Sequence, residues 1–255
     1  MSLFLADGFL GHEPYDVSKY TGSDSIENYE KQLKSKPNDW YYKDLPIEYR
    51  LNKNGHRSKD IVDLNLEDYI LFVGCSHTYG VGNRLEDTYP FLLSQNLNCD
   101  YYNLAIGGTG SDTAYHNLNV WLTRFQNNMP KLIIWQWIYP ARFLGKLDRD
   151  NYNSFDTFGP WLGKINVDKL LVLQEEYSLF DTRDILVGEF LNHLNNKIPV
   201  IEVSSLEFRA PITEEKKYRT VEFFPVDKAR DEVHYGLETS RLLVEEISGK
   251  FKKIL

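Results

Sequence analysis

The chain has few cysteines and no long apolar segment. Its 255 residues include two cysteines, Cys75 and Cys99, too few to indicate a disulfide framework. A reducing cytoplasm is therefore the simpler expectation for its location. The longest apolar candidate, at 132–139, is interrupted by Gln136, whereas about 20 apolar residues are needed to cross a bilayer. The sequence accordingly predicts no transmembrane helix.

Positive charge is also scarce. The chain has 29 Lys and Arg residues against 37 Asp and Glu residues, a net charge of −8 at pH 7. Nucleic acids and anionic membranes are bound through basic surfaces, so neither is expected as a partner. The N-terminal stretch MSLFLADGFLGHEP has neither the basic region nor the long apolar region of a secretory signal. The same observation is compatible with a signal that has already been removed.

The chain does contain enough apolar material for one folded domain. Hydrophobic residues make up 42% of it and charged residues 26%, as in ordinary globular proteins. Residues 1–66 are polar, rich in Tyr and irregular, and we expect them to form an extension packed on the domain. The domain itself is predicted at residues 67–255, with no internal repeat.

Apolar runs and helical periodicities alternate along this domain. Strands are predicted at 69–73, 101–106, 132–138 and 199–205. Helices are predicted from Thr88, from Ser111 or Asp112 to Phe125, at 181–194 and at 236–251. This alternation favours an α/β fold with right-handed crossovers and a parallel sheet covered by helices on both faces. Ligands of such sheets bind beyond the carboxyl ends of the strands, here just after Gly74, Ile106 and Ile138.

A glycine-flanked serine follows the first predicted strand of the domain. The segment reads GCSHTYGVG over residues 74–82. A serine at a strand-to-helix turn has its hydroxyl held away from the sheet, with backbone N–H groups nearby. These features suit Ser76 as a nucleophile, and the alternatives are a phosphate-binding glycine loop or a simple turn.

Two further segments have the residue types that a nucleophilic serine needs. NLAIGGTGS at 103–111 places small residues after a strand, where their N–H groups can stabilise an oxyanion. DEVHYG at 231–236 offers His234 as general base, with Asp231 three residues earlier to orient its ring. Taken singly, the first is more typical of a turn and the second of a loop that caps a helix.

Together the three segments resemble, in order and spacing, the conserved blocks of the SGNH (GDSL-like) hydrolase family. The resemblance covers about residues 66–250, and the continuation DTYPFLL also looks like that of many relatives. It implies a flavodoxin-like three-layer sandwich with a mostly parallel central sheet. It also implies a catalytic triad of Ser76, Asp231 and His234, with Gly108 as an oxyanion residue and no cofactor.

The chain departs from the family pattern at two places. Cys75 stands where the first block has an Asp that is not the triad acid, so its loss need not abolish activity. The third block, Gly-x-Asn-Asp, should follow the third strand, but the chain reads WQWIYPAR over 135–142. Gln136 or Arg142 is therefore expected to replace the missing Asn as oxyanion donor, and Arg142 is preferred because it lies past the strand. Otherwise the site is slow or serves another purpose.

Several other residues have two interpretations. Arg142 is typical of a surface salt bridge as well as of a substrate contact. His77 is expected to line the site, and Cys75 to be a small buried residue and not a thiol nucleophile. The aromatic residues of 135–139 suit the core better than an aromatic wall for a ligand. The histidines have no metal-ligand spacing, and the run EEKK at 214–217 is expected to be solvated.

The function implied is hydrolysis of an ester through an acyl-enzyme. The expected substrate is a small molecule or carbohydrate, with an O-acetylated sugar and a short acyl ester as candidates. One alternative is a degenerate domain that binds a glycan or partner protein without turnover. The other is an O-acyltransferase that uses the same residues. Neither a metal nor another cofactor is expected, and the sequence does not indicate an oligomeric state.

Overall fold

The computed structural model describes residues 2–14, 17–145, 154–159, 172, 178–205 and 218–254. The run at 214–217, predicted to be solvated, lies outside these residues. The strands are β1 (Ser2–Ala6), β2 (Phe9–Gly11), β3 (Tyr69–Val73), β4 (Asp100–Asn103), β5 (Leu132–Gln136), β6 (Phe143–Gly145), β7 (Ser154–Phe158), β8 (Val200–Ser205) and β9 (Thr220–Phe223). The helices are α1 (Ile26–Ser35), α2 (Ser76–Tyr79), α3 (Tyr89–Asn96), α4 (Ser111–Arg124), α5 (Leu179–Asn195) and α6 (Leu237–Ile254).

Five strands form the central sheet in the order β4-β3-β5-β8-β9, and every neighbouring pair is parallel. Because parallel neighbours need crossover connections, helices separate most of these strands along the chain. The predicted α/β class with a parallel sheet is thereby confirmed. Strand β9 was not among the predicted strands, since TVEF is short and follows a polar stretch.

Two of the predicted strands are shorter in the structure. The second ends at Asn103, although the N–H of Leu104 still donates to Phe72 O, and the segment through Ile106 then turns away from the sheet. The third ends at Gln136, with one further hydrogen bond from Trp137 N to Val203 O. Apolar residues continue past both ends because the connecting loops are buried, so an apolar run alone overestimates the strand. Helix α4 has Gly110 as its N-cap, where Ser111 or Asp112 was predicted.

The sheet is the middle layer of three. On β3, Ile70 and Phe72 point to one face and Leu71 and Val73 to the other, as strand alternation requires. Helices α3 and α6 cover the first face, through residues such as Leu93, Leu243 and Ile247. Helices α4 and α5 cover the second face, through residues such as Leu118, Trp121 and Leu191. Both faces being buried explains why the β3 sequence YILFV is continuously apolar.

The segment before residue 67 is more regular than the sequence suggests. It contains β1, β2 and α1, and its two strands join β7 and β6 in an antiparallel sheet of order β2-β1-β7-β6. Strand β2 is fixed to α4 through Asn117, whose side chain accepts from Leu10 N at 2.9 Å and donates to Leu10 O at 2.8 Å. Phe9 packs against Trp121 in the same contact. This anchor places the residue after β2, His12, near the carboxyl edge of the central sheet.

None of the helices in the described part of the chain combines the length and the apolar character needed to cross a membrane.

Candidate active site

Ser76 begins the one-turn helix α2 directly beyond the carboxyl end of β3. It is 6% exposed, and its carbonyl accepts from Gly80 N at 3.0 Å. Gly80 ends the turn with a φ of +83°, a conformation that disfavours residues with a Cβ atom. The Ser76 side chain is thus presented on a tight strand-to-helix turn, as the glycine pattern predicted.

Arg57 holds this turn from below. Its side chain is 2% exposed and donates to the carbonyls of Gly80 at 2.7 Å and Asn83 at 2.9 Å. The guanidinium also lies over the ring of Tyr49, 4.5 Å from its centroid. A helix C-terminus has carbonyls without intrahelical partners, and a cation satisfies them well. The sequence analysis did not identify Arg57, because no local pattern marks an arginine whose partners lie about 25 residues away.

Gln136, at the end of β5, contacts the same turn. Its side-chain oxygen accepts a hydrogen bond from Thr78, and the Thr78 hydroxyl lies 2.8 Å from that of Tyr89. All three side chains are buried. Gln136 therefore holds the turn that carries Ser76, and its side-chain oxygen is engaged there.

The second glycine segment lies beside the first. Asn103 links them, since its amide donates to Thr78 O at 2.8 Å while its oxygen accepts from Ala105 N at 3.1 Å. Gly108 has a φ of +77°. At Gly107 a hypothetical Cβ atom would lie 3.9 Å from Ser76 Cβ. The predicted oxyanion loop is therefore adjacent to Ser76.

Asp231 and His234 form a hydrogen-bonded pair. His234 Nδ1 lies 2.6 Å from Asp231 Oδ2, and the other carboxylate oxygen accepts from His234 N at 3.0 Å. The two residues are 1% and 7% exposed. Burial raises the pKa of Asp231, but the hydrogen bonds and charge of His234 and the hydroxyl of Ser23 outweigh it, so the pKa lies below its ordinary value. The carboxylate is thus held ionised.

The N-terminal segment clasps the loop that carries this pair. Ser23 Oγ donates to Asp231 Oδ2 at 2.6 Å, and Asn28 Nδ2 donates to Asp231 O at 2.8 Å. The preceding residue, Arg230, forms a buried ion pair with Asp24 at 2.7 Å. Asp24 also accepts from Tyr49 OH at 2.5 Å. These contacts couple residues 23–28 to the candidate acid, across about 200 positions of sequence.

The loops of Ser76 and His234 meet at one edge of the sheet. Arg230 N donates to Gly82 O at 3.1 Å, and the ring of His77 lies 4.6 Å from that of His234, between centroids. Within the described residues no hydrogen bond joins Ser76 Oγ to His234, and the nearest polar partner of Ser76 Oγ is Cys75 Sγ at 4.0 Å. The serine hydroxyl therefore points toward the thiol in this conformation.

His77 packs behind His234. Its ring stacks on Tyr235 with centroids 3.8 Å apart. Burial holds the pKa of His77 well below its ordinary value, and the positive charges of His234, Arg142 and Lys228 act in the same direction. His77 is therefore a neutral wall of the site, and its pKa shift places the charge of Arg142 in the neighbourhood.

The loop after β5 presents Arg142 at this edge. The α5 residue Arg183 holds the loop by donating to Pro140 O at 2.9 Å and Arg142 O at 2.5 Å. The aromatic residues before it divide as expected, since Trp135 and Trp137 are buried in the core and Tyr139 is exposed. Cys75 is buried in the same core. Trp137 also donates to the buried Glu202 at 2.7 Å, which satisfies its indole N–H.

No family model and no curated protein matches the chain. Among solved structures it is similar to an acetyl xylan esterase from the rumen bacterium Butyrivibrio proteoclasticus, with 14% identity over 72% of this chain and 64% of the other, and a TM-score of 0.42. It is also similar to a family two carbohydrate esterase from Clostridium thermocellum in complex with cellohexaose, with 14% identity, coverages of 73% and 64%, and a TM-score of 0.39.

A family two carbohydrate esterase from Cellvibrio japonicus matches at 14% identity, with coverages of 74% and 61% and a TM-score of 0.37. The chain thus spans less than two thirds of the length of these three structures. They are of SGNH type, the type that the sequence blocks resemble. Their TM-scores are too low for the likeness to bear on function, so the class of the protein, a three-layer α/β fold, rests on its own sheet topology.

Proposed function

We propose that the protein is a serine esterase that cleaves an ester through an acyl-enzyme on Ser76. The observation that carries this proposal is the Asp231–His234 hydrogen bond of 2.6 Å, on a loop that contacts the turn of Ser76. A buried carboxylate on Nδ1 fixes the imidazole tautomer and leaves Nε2 to accept a proton. An exposed Asp–His pair that only caps a helix does not need that burial.

In this mechanism Ser76 Oγ first turns from Cys75 toward His234, a rotation about one side-chain bond. Such tightening on substrate binding is common in hydrolases. His234 takes the hydroxyl proton as Oγ attacks the ester carbonyl. The backbone N–H groups of Ser76 and Gly108 stabilise the oxyanion that forms.

The intermediate then collapses. The bond between the carbonyl carbon and the alkoxy oxygen breaks, and His234 returns its proton to the departing alcohol. A water molecule, deprotonated by His234, attacks the acyl-enzyme and releases the acid, which restores Ser76. In the related O-acyltransferase reaction a sugar hydroxyl takes the place of this water.

The acyl group is proposed to be short, such as acetyl, on a carbohydrate or another small alcohol. The space in front of Gly107 supports this choice, because a single methyl group placed there already comes within 4 Å of Ser76 Cβ and of His12 Nε2. A long acyl chain has no room in that position. The charge near His77 that comes from Arg142 suits a polar substrate.

Labelling with a fluorophosphonate probe tests the proposal. The probe is expected to modify the protein with one adduct, and peptide mass spectrometry is expected to locate it on Ser76. Failure to label, in a folded protein that also hydrolyses no acetyl ester, would favour the binding module without turnover. If the probe labels Ser76, product analysis with added sugar acceptors separates hydrolysis from acyl transfer.

Arg142 is the proposed contact for a polar or anionic part of the reacting ester. We expect Arg142→Ala to lower kcat about 10-fold or more with little change in KM if its charge acts on the transition state, and to raise KM alone if it anchors the ground state. Arg142→Lys keeps the charge and should lose less. Arg50→Ala is the matched control, because Arg50 is a largely exposed arginine paired with Glu48. Unchanged kcat and KM in Arg142→Ala would make it a structural residue only.

A further inference from the structure

The space in front of Gly107 is bounded by two polar residues. A hypothetical Cβ atom at Gly107 meets nothing closer than His12 Nε2 at 3.7 Å and Ser76 Cβ at 3.9 Å. At Gly74, on the same edge of the sheet, the nearest atom is already at 2.3 Å. Gly107 therefore faces a small notch, with the candidate nucleophile on one side and an imidazole on the other.

His12 is held in place by its backbone. It follows β2, its N–H donates to Gly55 O at 3.2 Å, and its ring meets the edge of the Tyr79 ring, 6.1 Å away between centroids. A Cβ atom at Gly55 would lie 2.1 Å from His12 O, so the two backbones are in close contact. The ring thus reaches the notch from a fixed anchor in the N-terminal sheet.

The environment decides which role this imidazole can fill. Burial, together with the charge of the N-terminus, lowers the pKa of His12 to about 4. It is therefore neutral near pH 7, with one N–H donor, and too weak a base to compete with His234 for the serine proton. No carboxylate in the described part of the chain is hydrogen-bonded to its ring, in contrast to Asp231 on His234.

We infer that His12 is a further catalytic residue, whose Nε2–H donates to the carbonyl oxygen of the bound ester and to the oxyanion formed from it. This role rests on the proposed esterase function. A carbonyl carbon within reach of Ser76 Oγ places its oxygen in or beside the notch, where Nε2 adds a side-chain donor to the backbone donors of Ser76 and Gly108. Such a donor acts more strongly on the oxyanion than on the neutral carbonyl.

The test compares three His12 variants with the wild type on a chromogenic acetyl ester. His12→Ala is expected to lower kcat about 10²–10³-fold with little change in KM, as for other oxyanion donors. His12→Asn and His12→Gln keep an N–H donor, and at least one is expected to recover 10-fold or more of that loss. This recovery is a readout that a merely structural histidine would not give, and it remains available if His12→Ala fails to fold.

Gly107→Ala tests the notch itself. Gly107 does not have a positive φ, so the added methyl group strains no backbone and only fills the space. We expect it to reduce turnover of an acetyl ester and to reduce turnover of a butyryl ester more. Turnover of both esters as in the wild type would show that the acyl group binds elsewhere and would overturn the inference.

The outcomes separate the two levels of the proposal. If the wild type is active and His12→Ala has the same kcat, or differs in KM alone, the role of His12 is rejected while the esterase function stands. If the wild type neither labels with fluorophosphonate nor hydrolyses any acetyl ester, the esterase function and the role of His12 fall together. A loss in all three variants with unchanged thermal unfolding would also reject the donor role.

Discussion

Ser76→Ala is expected to remove nearly all esterase activity, with kcat lower by about 10⁶-fold, the size of effect known for nucleophilic serines. The alanine leaves no atom to form the acyl-enzyme, and the remaining rate comes from the oxyanion donors and substrate binding alone. The measurement is kcat and KM for an acetyl ester, together with fluorophosphonate labelling. Ser76 lies in a tight turn but its hydroxyl makes only one weak polar contact, so the variant should fold.

Cys75→Ala is the matched control for this variant. Cys75 is adjacent, buried and nearly the same size as serine, and its thiol is the one group near Ser76 Oγ that offers a rival nucleophile. We expect activity within a few fold of the wild type. The opposite pattern, with activity kept in Ser76→Ala and lost in Cys75→Ala, would reject the serine mechanism in favour of a thiol one.

Asp231→Asn is expected to lower kcat by about 10⁴-fold in a protein that still folds. The carboxylate accepts from His234 Nδ1, from Ser23 Oγ and from two backbone N–H groups. An amide of the same shape can keep some of these contacts, but its NH₂ group facing Nδ1 favours the wrong imidazole tautomer, with the proton on Nε2. The histidine then cannot accept the serine proton.

Glu232→Gln provides the control for the loss of one negative charge in the same loop. Glu232 pairs with Lys36 at 2.7 Å and is partly exposed, so its charge is screened and its removal should change kcat little. A pH profile adds a second check. Because the pKa of Asp231 lies below its ordinary value, the carboxylate stays ionised above about pH 4 and its own titration should not appear in the profile. Equal activity in Asp231→Asn and wild type would leave the Asp231–His234 pair a structural contact.

Local patterns determined most of the α/β domain. The run YILFV at 69–73 has β-branched and aromatic residues without polar interruption, which is typical of a strand buried on both faces, and the structure confirms it as β3. Helix α6 was likewise predicted from its spacing of apolar residues. The three chemical segments were recognisable because each is contiguous, with glycines or an Asp-x-x-His spacing whose meaning depends only on neighbouring residues.

Sequence by itself therefore predicted the parallel sheet and the candidate residues Ser76, Asp231 and His234. Only the tertiary structure placed His12 at the notch, Ser23 on the carboxylate of Asp231, and Arg57 under the turn of Ser76. These three residues come from a segment that had no recognisable pattern, and the contact from Ser23 to Asp231 joins positions 208 residues apart. Contacts of that kind depend on how the N-terminal sheet and α1 dock on the domain. Docking is decided by the summed packing of many surfaces, so it leaves no periodicity in the sequence.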